Sequence, residues 1–191
     1  DPDHQGCENS GQQQAAAGIG DDDGAELQSQ PGERHLPPSD SGGGAGIQAD
    51  LKTITVLGAY GMSAITALTA QNTLGVQGVY PVPVDFIRLQ MEAVLSDIGA
   101  DAAKTGMLAT PEIVKAVADE LKRFKVGLLV VDPVMVAKSG DALLSEEARA
   151  TLKEILLPMA TLVTPNLPEA SVLSGFPVKN LESMKEAARA I

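Results

Sequence analysis

The sequence is poor in the side chains that support thiol chemistry, disulfides and imidazole catalysis. It contains one cysteine, Cys7, and two histidines, His4 and His35. A single cysteine excludes an internal disulfide and is typical of a protein kept in a reducing compartment, so we expect a cytoplasmic location. Because all three residues fall within the first 35 positions, the rest of the sequence offers no Ser–His–Asp or Cys–His pair.

Long apolar runs and basic clusters are also missing. No stretch approaches the ~20 apolar residues needed to cross a bilayer, and no basic stripe with interleaved aromatic residues marks a nucleic-acid surface. Tryptophan is absent and aromatic residues make up 3% of the chain, although 44% of it is hydrophobic. We therefore expect an aliphatic core, with neither a membrane nor a nucleic acid as partner.

The negative charge is concentrated near the N-terminus. Residues 1–40 hold nine acids and one base, which accounts for −8 of the total net charge of −11. The first 38 residues also contain almost no aliphatic clusters, so burial could not offset the entropy of ordering them. We predict that 1–38 is a disordered, acidic, low-complexity tail and that 39–191 is the folded domain. A partner-binding role for the tail is the less favoured interpretation.

Beyond the tail, helical and strand patterns alternate. Apolar residues at helical spacing predict helices over 47–57, 84–98 and 111–121, one that Ser145 caps, and two more near 168–173 and 181–191. Short apolar runs predict strands over 62–70, 102–107, 126–131 and 160–163. This alternation indicates an α/β fold with a mostly parallel sheet flanked by helices.

Polar residues and turns follow the predicted strands. In open α/β sheets a ligand binds outside the carboxyl ends of the strands. The residues that the sequence brings to those ends are Gln71, Asn72, Met107, Asp132, Thr164 and Asn166. Their convergence predicts a site, although each residue alone is equally well explained as a solvated loop position.

The segment Ser39–Thr53 runs from a glycine-rich stretch directly into a predicted helix. It matches neither G-x-x-x-x-G-K-[ST] nor G-x-G-x-x-G, because Ile47 stands where the latter needs its third glycine. A flexible turn and a ligand-binding loop are equally good interpretations of this pattern alone.

Three further segments leave two interpretations open. Asp132 could hold Mg²⁺ near phosphates or cap a turn before proline. Asn166 and Glu169 could serve phosphate and water-bound Mg²⁺, or could form the start of a helix. Lys138 could approach a phosphate but is as well explained as an exposed lysine.

Taken together, five segments resemble a known family. They are Ser39–Thr53, Ile65–Thr73, Lys104–Leu108, Val131–Met135 and Thr164–Glu169. In this order they resemble the hydroxymethylpyrimidine/phosphomethylpyrimidine kinases of thiamine biosynthesis, which belong to the ribokinase-like superfamily.

The resemblance implies that MgATP phosphorylates 4-amino-5-hydroxymethyl-2-methylpyrimidine and then its monophosphate. By resemblance, the pyrimidine side would comprise Asp40, Gly44, Ala45, Thr69, Gln71, Met107 and Val134. The nucleotide and phosphate side would comprise Asp132, Lys138, Thr164 and Asn166, with Asp132 and Glu169 at the Mg²⁺ ion.

The sequence departs from the family pattern at both ends. Glu33–Pro38 stands where the family has its first strand, and two prolines and three ionisable residues argue against a central strand there. The family's catalytic cysteine and anion hole would lie beyond Ile191, so we assign no catalytic residue within the chain and expect little turnover from it. A pyridoxine- or pyridoxal-type kinase and a non-catalytic pyrimidine-binding fragment are the alternatives, and a homodimer is left open.

Overall fold

Two β-sheets organise the computed structural model, which describes residues 32–36, 38–135 and 144–191. In chain order the strands are β1 (Gly32–Leu36), β2 (Ser39–Asp40), β3 (Tyr60–Ser63), β4 (Ala67–Asn72), β5 (Gly75–Pro81), β6 (Ala102–Thr105), β7 (Leu128–Val131) and β8 (Leu162–Val163). The large sheet has the order β3-β1-β6-β7-β8 and all its pairings are parallel.

The small sheet has the order β2-β4-β5. Strand β2 pairs parallel with β4, whereas β4 and β5 form an antiparallel pair with an irregularity between Ala70 and Gln71. Because β2 follows β1 closely in the chain, the small sheet begins near the carboxyl end of a central strand of the large one.

The helices are α1 (Gly46–Val56), α2 (Val84–Asp97), α3 (Pro111–Arg123), α4 (Glu146–Thr151), α5 (Leu167–Ser174) and α6 (Leu181–Ala190). A π-helical turn over Leu152–Leu156 and a 3₁₀ turn over Leu157–Met159 continue α4. The main core packs α2, α3 and α4 with this turn against one face of the large sheet, and methionine and aliphatic side chains fill it. No helix of the described residues has the length and apolarity to cross a membrane.

Several sequence predictions are confirmed. Helix α3 begins at Pro111 with Thr110 as its N-cap, and its predicted apolar face is buried. Helix α2 and the parallel sheet also agree with the predicted α/β fold. The N-terminal 31 residues and Pro37, most of the predicted disordered tail, lie outside the described residues.

The predicted absence of the first strand is wrong. Residues Gly32–Leu36 form β1 and pair in parallel with both β3 and β6. A ladder uses backbone N–H and C=O groups, and both prolines, Pro37 and Pro38, come after the last strand residue, so neither removes a donor from it. The predicted boundary of the folded domain at Ser39 therefore lies too late.

The single strand predicted over 62–70 is also wrong. The structure divides this run into β3 of the large sheet and β4 of the small sheet. The break falls at Ile65, whose N–H donates to Gln90 Oε1 (2.9 Å) and whose C=O accepts from Gln90 Nε2 (3.1 Å). A side chain of α2 thus takes the place of a strand partner.

Candidate functional site

A cavity of about 640 Å³ lies between the two sheets, where the glycine-rich loop and the carboxyl ends of β6 and β7 meet the small sheet. It brings together residues from distant parts of the chain. All seven residues predicted for the pyrimidine side line it, as does Asp132: Asp40, Gly44, Ala45, Thr69, Gln71, Met107, Val134 and Asp132. Of the six residues predicted to converge at the strand ends, four line this cavity: Gln71, Asn72, Met107 and Asp132.

The glycine-rich loop is held by one buried carboxylate. Asp40 Oδ1 accepts from the N–H of Gly42 (2.8 Å), and Oδ2 accepts from those of Gly44 (2.9 Å) and Ala45 (2.8 Å). Burial acts to raise the pKa of Asp40, but the hydrogen bonds from Gly42, Ala45 and Gly44 outweigh it, so the pKa is lowered. Asp40 therefore shapes the wall that Gly44 and Ala45 present to the cavity.

Gln71 lies on β4, opposite the glycine-rich loop. The Thr69 hydroxyl lies 2.7 Å from the Ser39 carbonyl and 3.3 Å from Gln71 Oε1. The Ser41 hydroxyl donates to the Gln71 carbonyl (2.7 Å) and accepts from the Gln71 N–H (3.0 Å). These bonds join β2 to β4, and a further side-chain hydrogen bond links Gln71 to Asp40.

A charged cluster at the floor of the cavity was missed from the sequence. Lys104 Nζ, on β6, lies 2.9 Å from Asp50 Oδ1 on α1 and 3.4 Å from Asp132 Oδ2 after β7. All three residues line the cavity. A signal was present, because Asp50 occurs between Ile47 and Ile54 on the buried stripe of α1, and Lys104 occurs between two buried residues of a central strand.

Asn166 and Glu169 form the start of α5. Asn166 Oδ1 accepts from the Glu169 N–H, and Glu169 Oε2 accepts from the Asn166 N–H, both at 2.9 Å, which is a capping box. Glu169 is buried and also accepts a backbone hydrogen bond from Met135. Burial, followed by the charge of Asp132, raises its pKa against the effect of these hydrogen bonds.

Fewer of the residues predicted for the phosphate and metal side line the cavity. Thr164 and Asn166 are exposed and do not line the cavity, and neither does Glu169. Lys138 lies outside the described residues. Within residues 32–36, 38–135 and 144–191, no three acidic, histidine or cysteine side chains cluster in a way that could hold a metal ion.

Comparison with known protein families identifies the family of the chain. The model of the phosphomethylpyrimidine kinase family matches residues 40–191. The chain belongs to this family. A curated relative, the hydroxymethylpyrimidine/phosphomethylpyrimidine kinase of Bacillus subtilis, is 52% identical over 150 residues, which is 78% of this chain and 55% of the relative.

Solved structures show the same fold. The phosphomethylpyrimidine kinase of Clostridium difficile superposes with a TM-score of 0.78 at 46% identity, over 84% of this chain and 69% of that one. An ADP complex of Bacillus subtilis pyridoxal kinase superposes with a TM-score of 0.77 at 42% identity, over 84% of this chain and 61% of that one. The fold is therefore ribokinase-like, as predicted. The chain spans about half the length of the B. subtilis phosphomethylpyrimidine kinase.

Proposed function

We propose that the protein containing this chain phosphorylates 4-amino-5-hydroxymethyl-2-methylpyrimidine and its monophosphate with MgATP, in thiamine biosynthesis. The observation that carries the proposal is that Gln71, the glycine-rich loop and Asp132 line one cavity, although they come from three separate segments. Family membership supports the same reaction.

The cavity offers complementary walls to a flat, polar ring. Gly44 and Ala45 bring backbone close on one side, while Met107 and Val134 supply apolar surface. The Gln71 amide both donates and accepts, which suits the edge of an aminopyrimidine. We assign Gln71 and the glycine-rich loop to substrate recognition, and we infer that catalysis depends mainly on positioning.

The phosphate side is assigned to the carboxylates after β7. Mg²⁺ favours oxygen ligands and binds through one or two carboxylates together with substrate phosphates. Asp132 lines the cavity with a half-buried carboxylate, and its charge reaches Glu169, whose pKa it helps to raise. Asp132 and Glu169 would hold the ion, Glu169 through water because its carboxylate already accepts backbone hydrogen bonds. The ion would neutralise charge on the transferred phosphate.

Phosphorylation of a pyridoxal-type ring is the second candidate. It is favoured by the superposition on B. subtilis pyridoxal kinase, at 42% identity. Both substrates are hydroxymethyl heteroaromatics of similar size, so the shape of the cavity suits both.

Calorimetry on the 191-residue chain tests the proposal without requiring turnover. We expect the hydroxymethylpyrimidine to bind more tightly than pyridoxal, and Gln71→Leu to weaken pyrimidine binding about tenfold through loss of a hydrogen-bonded pair. Gln77→Leu is the matched control, since Gln77 is an exposed glutamine on β5 and is not among the residues that line the cavity. Tighter pyridoxal binding would support the second candidate, and binding of neither ring would contradict both.

Two further inferences accompany this function. The single cysteine supports a cytoplasmic protein. The oligomeric state, including a homodimer, stays a prediction.

A further inference from the structure

Lys104 is a partly buried charged residue at a position where burial of charge is unfavourable. It occupies the central strand β6, and its neighbours Ala103 and Thr105 are fully buried. A partly buried lysine must be compensated by opposite charge, and replacing such an ion pair as a whole by apolar side chains is often neutral for stability. The stability of the sheet therefore does not by itself account for an ion pair at Lys104.

The surroundings of Lys104 leave its ammonium group able to bind a ligand. An ammonium carries three N–H bonds. Among the described residues, one donates to Asp50 Oδ1 at 2.9 Å, and Asp132 Oδ2 lies 3.4 Å from Nζ, at an ion-pair distance. The side chain is 25% exposed and lines the cavity, so its third N–H is accessible from that space.

The charge of the cluster also matters for what can enter. Asp50, Lys104 and Asp132 together carry one net negative charge at the cavity floor. The Asp40 carboxylate, on the opposite wall, already accepts three amide hydrogen bonds. Lys104 is the one cationic side chain among the residues lining the described cavity.

We propose that Lys104 is a specificity-determining residue that admits the phosphorylated pyrimidine, by donating its third N–H to the phosphate of the monophosphate substrate. This inference rests on the proposed function and adds to it. The two proposed substrates share the ring and differ by a phosphate group, so a residue that reads the phosphate affects one and not the other. The opposing charge of Asp50 limits the strength of this contact.

The test is calorimetric binding of the neutral hydroxymethylpyrimidine and of its monophosphate to the 191-residue chain. With Lys104→Met we expect the monophosphate to lose about tenfold more affinity than the neutral ring, because a charge-assisted hydrogen bond is lost. Lys104→Arg should restore most of the difference. Equal losses for the two ligands, or no rescue by arginine, would overturn the inference and indicate a structural role.

A second variant works in the opposite direction. Asp50→Asn keeps the shape of the side chain and brings the net charge of the cluster from −1 to 0. We expect it to raise monophosphate affinity relative to that of the neutral ring by about threefold to tenfold, and this holds even where Lys104→Met does not fold. A ratio that is unchanged or lowered would contradict the inference.

The binding of the unaltered chain separates the two proposals. A chain that binds the neutral ring but not the monophosphate overturns the role of Lys104 and leaves the first proposed step, phosphorylation of the neutral ring, standing. A chain that binds neither ligand overturns both.

Discussion

Both oxygens of the buried Asp40 carboxylate accept hydrogen bonds from the backbone of the glycine-rich loop that follows it. Three N–H groups within five residues converge on this side chain, and its own N–H donates to Gln48 Oε1 at 2.7 Å. Charge-assisted hydrogen bonds of this kind are stronger than neutral ones. The conformation of the loop is therefore set before any ligand arrives.

Replacement of Asp40 by asparagine tests this role. Asn offers one neutral acceptor oxygen in place of two charged ones, so we expect Asp40→Asn to lower the free energy of unfolding by roughly 1–3 kcal/mol. The folded-state pKa of Asp40 is lowered, so its contribution is complete above the ordinary value of 3.8 and is lost as the pH falls through the folded-state value. Urea unfolding from pH 7 to pH 2.5 measures both effects.

The pH dependence distinguishes Asp40 from an ordinary surface acid. The difference between wild type and Asp40→Asn should be constant above about pH 5 and should shrink below pH 3.8. Asp97→Asn, at the exposed end of α2, is the control and should stay within about 0.5 kcal/mol of wild type. A difference that grows as the pH falls would contradict the assigned role.

At the scale of single residues, the sequence predicts the residues proposed for pyrimidine binding better than the charged cluster of Asp50, Lys104 and Asp132. Met107 could be proposed because residues that follow parallel strands converge at one edge of the sheet, whereas the role of Gln71, which lies within β4 of the small sheet, came from the family resemblance. Asp50 and Lys104 were missed because each occurs inside a helix or strand, where a charge is usually solvated. Their pairing depends on α1 packing against β1 and β3 of the large sheet, which local patterns do not report.

The turn from the glycine-rich loop into helix α1 requires a glycine at Gly46. Its φ of +57° lies in the left-handed region, and a Cβ there would collide with the Pro38 carbonyl oxygen. We expect Gly46→Ala to lower the free energy of unfolding by at least about 2 kcal/mol. Gly44 is the matched control, because a Cβ there meets no atom within 4 Å.

The variants Gly46→Ala and Gly44→Ala also separate effects on folding stability from effects on ligand binding. Gly44→Ala should remain within about 1 kcal/mol of wild-type stability but should weaken pyrimidine binding, because its methyl group enters the cavity that Gly44 lines. Thermal unfolding and calorimetry on both variants provide the measurements. Equal stability of the two variants would show that the left-handed conformation is not required.

Helices α2 and α3 are joined by ion pairs centred on Glu120. This carboxylate, 5% exposed, contacts Arg88 at 2.8 Å and Arg123 at 3.2 Å. Glu120→Ala removes two charge-assisted hydrogen bonds but leaves arginines that are 39% and 54% exposed and keep Asp119 and Glu92 as partners, so we expect a cost of about 2 kcal/mol. Asp119→Ala, which removes a 61% exposed partner of Arg88, should cost less than about 1 kcal/mol in the same denaturation series. Similar losses in both variants would contradict the importance of burial.

At the scale of helices and strands, amphipathic periodicity was the reliable guide. Helix α3 was predicted closely because its cap, first-turn proline and apolar stripe agree with one another. The division between β3 and β4 was missed because the break depends on Gln90, 25 residues away. Strand β1 was missed because its ionisable residues suggested a loop, although backbone pairing decides the strand.

At the scale of the molecule, the cavity lies between two separate β-sheets. Its walls include Thr69 and Gln71 from the small sheet and Lys104 from the large one. A ligand in this space contacts both sheets at once. The sequence could predict the parallel sheet, but not that the antiparallel pair β4–β5 closes the other side.

Ligand binding should therefore protect both sheets together. At about 100 times the dissociation constant, a bound pyrimidine stabilises the folded state by roughly 2.7 kcal/mol. We expect hydrogen exchange to slow in β4 and in β6 on addition of the hydroxymethylpyrimidine, with α6 unchanged as the internal reference. Protection confined to one sheet would place the ligand elsewhere.

The hydrogen bonds of Asp40 also determine which chemistry the glycine-rich loop can offer. In loops that bind phosphate, free N–H groups point at the anion and supply its coordination. Here the N–H groups of Gly42, Gly44 and Ala45 are already solvated by a carboxylate of the same chain. The Asp40 carboxylate therefore occupies the N–H groups that a bound phosphate would need. The loop presents to the cavity peptide backbone with few side-chain atoms. We expect such a surface to favour flat, uncharged rings over phosphate groups, in keeping with a glycine-rich segment that matches neither nucleotide fingerprint.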